Sequence, residues 1–385
     1  MSSITTPIGT TTYAYSDASG VRTVTVTNPA SKVTTYTFDI LSARMKSMTD
    51  ATSRTTSWDY DTSGRLTKTT AQEGNYTQLT YDARGNVTQT DTVDKAGTST
   101  ISTYAGYDST CSNPVTCNRP NTTTDALGNV TDYTYDATTG NVLTVTAPAP
   151  TSGATRPKTT YGYTSLQAYF DTGSGIVASG EPVYRLTSTS VCRTTASCSG
   201  TSDETVTTVD YGPQTTGTGN NLLPVSTTTK AGDNSLSATT SVAYDSVGNV
   251  TSVDGPMSGS DDTVTYRYDG DRERVGTIAP DPDGSGSLAR AATRTTYNAK
   301  GQVTETELGT VASTSDTDWA AFASAQQVTA TLDAAGRTTR SVLTAGGTTY
   351  GVTEYSYDSA GRPDCVAVRM NASAWGTATA ACTAT

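Results

Sequence analysis

The sequence contains no histidine among its 385 residues. Without an imidazole the chain has no Ser-His-Asp triad, no Cys-His nucleophile and no histidine-based metal site. Apolar side chains are scarce as well, because Leu, Ile, Val and Phe together make up only about 14 per cent of the residues, below the ~20 per cent under which chains are often disordered. No run of 18 or more apolar residues is present, so no segment is expected to cross a bilayer as a helix.

Basic residues are also fewer than acidic ones, with 25 Lys and Arg against 36 Asp and Glu. The formal net charge is −11 and the pI is about 4.5, which argues against nucleic acid and against anionic membranes as partners. The first residues, Met1–Ile4, lack the basic and apolar regions of a secretory signal. We therefore expect any export signal to lie outside this sequence or to follow a different route.

One short phrase recurs along the chain. It consists of an aromatic or aliphatic residue, Asp, two variable residues, Gly, then Arg, Asn or Gln, and usually Val-Thr or Leu-Thr. Its good copies begin at six positions, with Asn298 in place of Asp in one of them: Tyr60, Tyr81, Tyr244, Tyr297, Leu332 and Tyr357. Variants run over 125–131, 135–143 and 268–275. A phrase that returns at short intervals indicates a repeat architecture.

Each copy predicts the tip of a β-hairpin. Aromatic residues two positions apart, as in Trp58–Tyr60 and Tyr355–Tyr357, have the period of a strand. The Asp then opens a turn, and the Gly closes it in a left-handed conformation. We expect the tyrosines to be mostly buried and threonine to dominate the outward face. The residues assigned this structural role are Tyr60, Asp61, Gly64, Tyr81, Asp82, Gly85, Tyr244, Asp245, Gly248, Tyr297, Gly301, Asp333, Gly336, Tyr357, Asp358 and Gly361.

These residues are those of the YD repeat, and the chain resembles the Rhs family. Its relatives include bacterial wall-associated and polymorphic-toxin proteins, the C component of insecticidal toxin complexes, and teneurins. Recognisable copies run from Tyr60 to Arg362, and 15–20 and 38–44 resemble decayed copies. The resemblance implies a spiral β-sheet that closes into a hollow shell, which in many members holds a toxin polypeptide.

Two features of that family are not found in this sequence. No variable toxin domain follows the repeats, and no Asp-Pro-x-Gly-Leu self-cleavage motif is present, since Asp281-Pro282-Asp283-Gly284 is followed by Ser285. The repeats are also fewer than a shell of the family takes. The fold expected is therefore all-β, a spiral of hairpins forming one continuous curved sheet or a partial hollow shell.

The chain is expected to form a single domain over residues 1–385. Regular hairpins are predicted for residues 1–100 and repeats with long insertions for 101–240, and the regular repeats resume over 241–385. One short helix is predicted near 318–327, beginning at Asp316 or Asp318. Trp319 and Phe322, three residues apart, would then face the sheet and cover it.

The six cysteines predict disulfides and hence export. Their grouping favours the local pairs Cys111–Cys117, Cys192–Cys198 and Cys365–Cys382. Free thiols and metal binding are the alternatives, and metal sites usually have Cys-x₂₋₄-Cys spacing. Disulfides would place the chain at the cell surface or outside the cell, with the periplasm as a transit compartment.

Nothing in the sequence selects a catalytic residue, and no cofactor or metal is expected. We interpret the chain as a non-enzymatic structural segment of a secreted or surface Rhs-type protein that encloses or presents another polypeptide such as a toxin. Its partners would be the rest of a longer Rhs polypeptide or other copies of itself. One alternative is a surface or filament-forming adhesion protein that assembles through exposed sheet edges. Another is a carbohydrate-binding module that uses tyrosine faces.

Overall fold

The computed structural model describes residues 2–7, 9–284 and 286–376. Strands account for 52% of the chain and helix for 2%, which confirms the all-β prediction. The first half of the chain holds the strands β1 Ser3–Thr6, β2 Gly9–Ala18, β3 Val21–Thr27, β4 Val33–Asp39, β5 Met45–Thr49, β6 Thr55–Tyr60, β7 Leu66–Thr70, β8 Tyr76–Tyr81, β9 Val87–Val93, β10 Thr100–Gly106, β11 Thr122–Thr124, β12 Val130–Tyr135, β13 Val142–Thr146, β14 Lys158–Leu166, β15 Tyr169–Asp171, β16 Ile176–Ala178 and β17 Val183–Cys192.

The second half continues in the same way. It holds β18 Glu204–Asp210, β19 Ser226–Ala231, β20 Ser237–Tyr244, β21 Val250–Asp254, β22 Val264–Tyr268, β23 Arg274–Ile278, β24 Arg290–Tyr297, β25 Val303–Val311, the helix α1 Asp316–Ala320, β26 Ala323–Leu332, β27 Thr338–Ala345, β28 Thr348–Tyr357, β29 Pro363–Arg369 and a 3₁₀ turn at Ala372–Ala374.

Successive strands pair with their sequence neighbours in antiparallel fashion. This is so from β1 to β13 and from β18 to β29, for example with Trp58 opposite Thr69 and Tyr266 opposite Thr277. Of the 29 strands in the described residues, 27 belong to one sheet, and β15 and β16 form a separate hairpin. Because the strands follow one another as hairpins, the turns that connect them lie alternately at the two rims of the sheet where the strands end. The repeated phrase predicts this arrangement.

Backbone contacts divide the chain into two compact units. One comprises Met1–Gly162 with Thr189–Glu204, and the other Tyr163–Ser188 with Thr205–Thr385. The single domain over residues 1–385 stays a prediction.

Solvent-exposed threonine pairs on neighbouring strands stabilise the sheet. Thr49 and Thr55 are directly opposite each other on β5 and β6, and their hydroxyl oxygens lie 2.8 Å apart. The same arrangement joins Thr134 to Thr144 at 2.7 Å and Thr228 to Thr239 at 2.8 Å. Cross-strand Thr pairs of this kind contribute to sheet stability. They explain how a chain rich in threonine and poor in leucine forms an extended sheet.

The apolar core in the second unit is small and centres on β23 to β25. Ile278, Ala292 and Val311 are buried there, and Trp319 and Phe322 pack against them. The two rings meet edge to face with centroids 5.6 Å apart, a favoured geometry for aromatic pairs. The predicted role of Trp319 and Phe322 as a cover over the sheet is confirmed.

The predicted helix is real but shorter than expected. Helix α1 begins at Asp316, with the Ser315 side chain accepting the backbone N–H of Asp318 as N-cap. It ends at Ala320, and the extension to Gln327 is wrong. From Ala323 onward the chain is strand β26, where Ala323 lies opposite Thr310 and Gln327 opposite Glu307 of β25. Ladder hydrogen bonds to β25 override the local helix propensity of the Ala-rich stretch.

The close approach of Trp319 to Gly276 gives a test of this core. A Cβ atom at Gly276 would lie 2.5 Å from the Trp319 ring. We expect Gly276→Val to displace the ring and to lower the free energy of unfolding by about 1–3 kcal/mol, measured by urea denaturation. Gly351 is the matched control, because a Cβ there meets no atom of the described residues within 4 Å. Equal losses for Gly276→Val and Gly351→Val would contradict this account of the core.

Candidate functional site: the joints between repeat tips

The tip at 61–64 shows why the repeated phrase needs its Asp. The backbone N–H of Arg65 donates to Asp61 Oδ1 at 2.8 Å, and Arg65 Nε donates to Asp61 Oδ2 at 2.7 Å. The backbone closes the turn, since Gly64 N–H donates to the Asp61 carbonyl at 2.9 Å. One carboxylate therefore holds both the backbone and the side chain of the residue four positions later.

The other tips repeat this arrangement. Asp333 binds Arg337 and Asp358 binds Arg362 with the same atoms and nearly the same distances. At Asp82, Asp125 and Asp245 the later residue is an asparagine that donates its side-chain amide to Oδ2 at 2.8 Å. The sequence shows that Arg, Asn or Gln follows the Gly, and the structure supplies the reason for Arg and Asn, which is that the side chain donates to the turn carboxylate.

The tip at 298–301 uses the same geometry without a carboxylate. Asn298 Oδ1 accepts the backbone N–H of Gln302 at 3.1 Å, and Asn298 Nδ2 donates to Gln302 Oε1 at 2.9 Å. The glycines of all these tips have φ between 72° and 93°, which side-chain-bearing residues rarely adopt: Gly64, Gly85, Gly248, Gly301, Gly336 and Gly361.

The hydrogen bonds shift the pKa values of the tip carboxyls. The pKa values of Asp61, Asp333 and Asp358 lie below the ordinary value, chiefly because the backbone N–H four residues later donates to each carboxylate. The guanidinium of the same residue lowers them further. These carboxyls are ionised at neutral pH and act as hydrogen-bond acceptors, not as proton donors.

Each motif aromatic residue is paired across a β-bulge in the strand that follows it. The strand register shifts between Asp59 and Tyr60, between Thr80 and Tyr81, and between Ser356 and Tyr357. A bulge places one extra residue on one strand and redirects the neighbouring side chains. Here the extra residue is on the strand after the tip, as with Thr88, which lies between Val87 opposite Tyr81 and Gln89 opposite Thr80.

The redirected tyrosine reaches back to the preceding repeat. The Tyr81 hydroxyl donates to the Leu66 carbonyl at 2.6 Å, and the Tyr357 hydroxyl donates to the Thr338 carbonyl at 2.9 Å. In both cases the acceptor lies two residues after the Gly of the preceding tip. Five further tyrosines make comparable bonds: Tyr107 to Val87, Tyr135 to Pro120, Tyr211 to Leu186, Tyr244 to Pro224 and Tyr297 to Arg274.

The residue after the Gly completes the contact between tips. The Arg65 guanidinium lies 4.7 Å from the centroid of the Tyr81 ring, and Arg65 Nη1 donates to the Asp82 carbonyl at 3.1 Å. Arg337 lies 4.4 Å from the Tyr357 ring in the same way. We call this contact a joint: the residue after the Gly of one tip, together with the tyrosine and tip backbone of the next.

The joints also restrict the Gly position. A Cβ at Gly336 would collide with the Gln302 side chain of the preceding tip, and one at Gly361 would lie 3.1 Å from Arg337 Nη1. The Gly is therefore needed for space as well as for its backbone conformation.

The structure shows two tips that the sequence pattern hides. Ser53 stands three residues after Asp50, in the Gly position, with φ of 64°. Arg272 occupies the same position after Asp269, with φ of 67°, in the variant at 268–275 that the sequence already indicates. Cys111 stands three residues after Asp108 with φ of 49°, and Tyr107 makes the usual hydroxyl bond. A search that fixes Gly misses these copies, whereas the Asp and the spacing of the preceding aromatic would find the copy at Tyr107.

Two cysteine pairs lie at bonding distance. Cys111 pairs with Cys117 and Cys192 with Cys198, as the grouping in the sequence suggests. Asn118, the residue after this loop, contacts the preceding repeat, because Asn86 Nδ2 donates to Asn118 Oδ1 at 3.1 Å. Cys382 lies outside the described residues, so the pair Cys365–Cys382 stays a prediction.

The motif tyrosines are largely covered but not fully buried. Tyr60, Tyr81, Tyr244, Tyr297 and Tyr357 all lie between the buried and the exposed residues, in agreement with the expectation that they are mostly buried. Their role is to link successive repeats, which the sequence pattern does not reveal.

Three buried carboxylates were not predicted from the sequence. Glu307 accepts Arg294 Nε at 2.5 Å and Glu354 accepts Arg369 Nε at 2.6 Å, while Glu204 accepts the Gly200 N–H at 2.7 Å. The hydrogen bond from Arg294 lowers the pKa of Glu307, which removes it from the range of a general acid at neutral pH. These contacts tie neighbouring segments together.

Within 2–7, 9–284 and 286–376 no cluster of acidic residues and cysteines has the arrangement of a metal site. No helix in that part of the chain is long and apolar enough to span a membrane.

A known family model matches the part of the chain that contains two of the tips. Residues 60–99 match the family model described as RHS Repeat. The chain contains an RHS repeat. The matched residues include the tips at 61–64 and 82–85 and the joint between them, so the Rhs resemblance found in the sequence is confirmed. No curated protein sequence matches the chain.

Three solved structures show similarity to the chain at low sequence identity. One, titled "Crystal Structure of TcdB2-TccC3-Cdc42", is similar over 91% of this chain at 14% identity with a TM-score of 0.44. A second, "Crystal Structure of TcdB2-TccC3-TEV", and a third, a Tc holotoxin pore of Photorhabdus luminescens, are each similar over 93% of the chain, at 14% and 12% identity with TM-scores of 0.22 and 0.23. The chain spans only 19% to 26% of those chains. Values at this level carry no argument about function.

The tyrosine bond of the RHS repeat can be tested by removing one hydroxyl. We expect Tyr81→Phe to lower the free energy of unfolding by about 0.5–1.5 kcal/mol, because the Leu66 carbonyl loses its donor. Tyr15→Phe is the matched control, since Tyr15 is 58% exposed and its hydroxyl makes no hydrogen bond within the described residues. A Tyr81→Phe protein as stable as the Tyr15→Phe protein in urea denaturation would rule out a stabilising role for this bond.

The lowered pKa values predict sensitivity to acid. A carboxyl whose pKa is lower in the folded state stabilises the fold above its unfolded pKa of about 3.9, and this stabilisation is lost as the pH falls through the folded value. We expect the thermal unfolding midpoint to drop as the pH is lowered from about 5 to about 2. The double substitution Asp333→Asn with Arg337→Gln copies the Asn298–Gln302 pair of the tip without a carboxylate and should make the drop smaller. An unchanged pH profile for that variant would contradict the assignment.

Proposed function

We propose that the chain is a non-enzymatic structural segment of a secreted or cell-surface Rhs-type protein, and that its sheet forms part of a shell that encloses or presents another polypeptide such as a toxin. The observation that carries the proposal is the series of joints. The repeated geometry of Tyr, Asp and Gly binds one hairpin to the next, and this extends a sheet without creating a reaction centre.

The side chains of the tips support a structural role. In the tips at Asp61, Asp333 and Asp358, both carboxylate oxygens are engaged by the residue four positions later. A carboxylate held in this way with a lowered pKa is a poor proton donor. The buried Glu307 and Glu354 are each engaged by an arginine of a neighbouring strand.

The cysteine pairs support a location outside the reducing cytosol. Disulfides persist at the cell surface, outside the cell and in the periplasm, and the described chain contains two cysteine pairs at bonding distance. The partners that fit an extended sheet are the rest of a longer Rhs polypeptide or further copies of this chain.

Protease protection in the natural assembly tests the enclosing role. The assembly would be isolated from the culture medium or the cell surface with an antibody against this chain, and treated with trypsin before and after acid unfolding. We expect a second polypeptide, or a second region of the same polypeptide, that resists trypsin only while the sheet is folded. Digestion of all associated polypeptide at the same rate before and after unfolding would refute enclosure.

The absence of catalysis is tested in the same preparation. Hydrolysis of a peptide or glycoside substrate that is abolished by Glu307→Gln or Glu354→Gln, in a variant with unchanged circular dichroism, would overturn the non-enzymatic assignment. We expect no such turnover.

A further inference from the structure

The tip that begins at Asp108 is closed differently from the other tips. In the tip at 61–64 the backbone closes the turn twice, because the Gly N–H donates to the Asp carbonyl and the Asp N–H donates to the carbonyl four residues later. Within the described residues the tip at Asp108 makes neither bond, although Cys111 stands in the Gly position. Its turn is closed instead through the sulfurs of Cys111 and Cys117.

The loop that this cysteine pair closes contacts the tips on both sides. Arg84 of the preceding tip donates through Nη1 to the Ser109 carbonyl at 3.3 Å and through Nη2 to the Cys117 carbonyl at 3.4 Å. Asn113 Nδ2 donates to the Ala137 carbonyl of the following tip at 2.8 Å. The pair therefore fixes a piece of chain that holds three successive tips together.

The following tip also packs against this loop and the residues just after it. A Cβ at Gly140 would lie 3.1 Å from Val115 Cγ1 and from Arg119 Nε. The Arg119 guanidinium lies 5.7 Å from the centroid of the Tyr135 ring, and the Tyr135 hydroxyl donates to the Pro120 carbonyl at 2.7 Å. Displacement of the loop would remove the partner of this tip.

The second cysteine pair lies in a loop that has its own closing hydrogen bonds. The Glu204 carboxylate accepts the Ser190 hydroxyl at 2.5 Å and the Gly200 N–H at 2.7 Å. The Thr201 N–H donates to the Cys198 carbonyl at 3.0 Å. These bonds do not involve sulfur, so this loop keeps its shape when its cysteines are reduced.

Access from solvent also differs between the two pairs. Cys192 and Cys198 are 7% and 3% exposed, whereas Cys111 is only partly buried beside a Cys117 that is 1% exposed. Because thiol–disulfide exchange depends on access to the attacked sulfur, a reductant reaches Cys111 first and Cys117 is the sulfur that leaves.

We propose that the Cys111–Cys117 disulfide is a redox switch that closes this part of the sheet in an oxidising compartment and opens it in a reducing one. In the opening step a thiolate of a dithiol reductant bonds to Cys111 Sγ, the disulfide breaks, and Cys117 leaves as a thiolate that takes up a proton. The second reductant thiol then displaces Cys111 as a thiol. Two electrons pass to the cysteine pair, and the reductant becomes a cyclic disulfide.

The open state has a turn at Asp108 with neither a backbone closure nor a covalent one. The loop is then free to leave the tips on either side, while the rest of the sheet keeps its ladder hydrogen bonds. This inference goes beyond the proposed structural function, because it makes the order of three tips depend on the compartment. Its test does not require an enclosed polypeptide.

The rate of reduction is the first measurement on the full chain. The oxidised protein is treated with dithiothreitol, and differential alkylation with mass spectrometry follows each cysteine. We expect Cys111 and Cys117 to become reduced about tenfold faster than Cys192 and Cys198, because access to the attacked sulfur controls the exchange. Reduction of both pairs at the same rate would overturn the proposal.

Hydrogen exchange of the oxidised and reduced chains tests the opening itself. We expect amide exchange in peptides covering 82–86, 108–121 and 136–140 to rise about fivefold on reduction, as for a local opening, and to return after treatment with oxidised glutathione. The tip at 61–64 is the internal control and should not change. Equal exchange in the two states, or a rise that oxidised glutathione does not reverse, would overturn the switch.

Matched variants assign the effect to one cysteine pair. The double substitution Cys111→Ser with Cys117→Ser should show the raised exchange without any reductant. Cys192→Ser with Cys198→Ser is the control, because that pair has the same sequence separation of 6, and it should leave the three tips unchanged. A rise of equal size in both variants would contradict the assignment. Loss of the whole β-sheet circular dichroism signal in the Cys111→Ser, Cys117→Ser chain would also overturn the proposal, since the switch is local.

Discussion

The structure depends on one interaction, in which a turn carboxylate accepts hydrogen bonds from both the backbone and the side chain of the residue four positions later. At Asp61 this fixes the turn and, at the same time, points the Arg65 guanidinium towards the next tip. The guanidinium then meets Tyr81, whose hydroxyl returns to the strand that follows the first tip. Each turn thereby determines where the next hairpin lies.

Local features of the fold could be predicted from the sequence because they depend on neighbouring residues. Asp-x-x-Gly, the alternating aromatics before it and the Val-Thr after it specify a hairpin without reference to the rest of the chain. The tyrosine hydroxyl bonds could not be predicted, because their acceptors are backbone carbonyls 15 to 25 residues away, and a carbonyl has no sequence signal. The β-bulge that directs Tyr81 to its acceptor is equally invisible in the sequence.

The errors have physical causes of the same kind. Helix α1 ends at Ala320 because the following residues gain ladder hydrogen bonds to β25, a tertiary effect that local propensity does not contain. The tip at Asp108 was missed because Cys111 adopts the conformation usually reserved for Gly.

The short reach of the joints has a consequence for how the chain folds. All-β proteins usually fold slowly, since strands distant in sequence must find each other before any pairing is rewarded. Here a joint closes a loop of only 15 residues at Tyr81 and 19 at Tyr357, and each strand pairs with its immediate neighbour from β1 to β13. The sheet can therefore grow hairpin by hairpin as the polypeptide leaves the ribosome, with each completed tip serving as the template for the next.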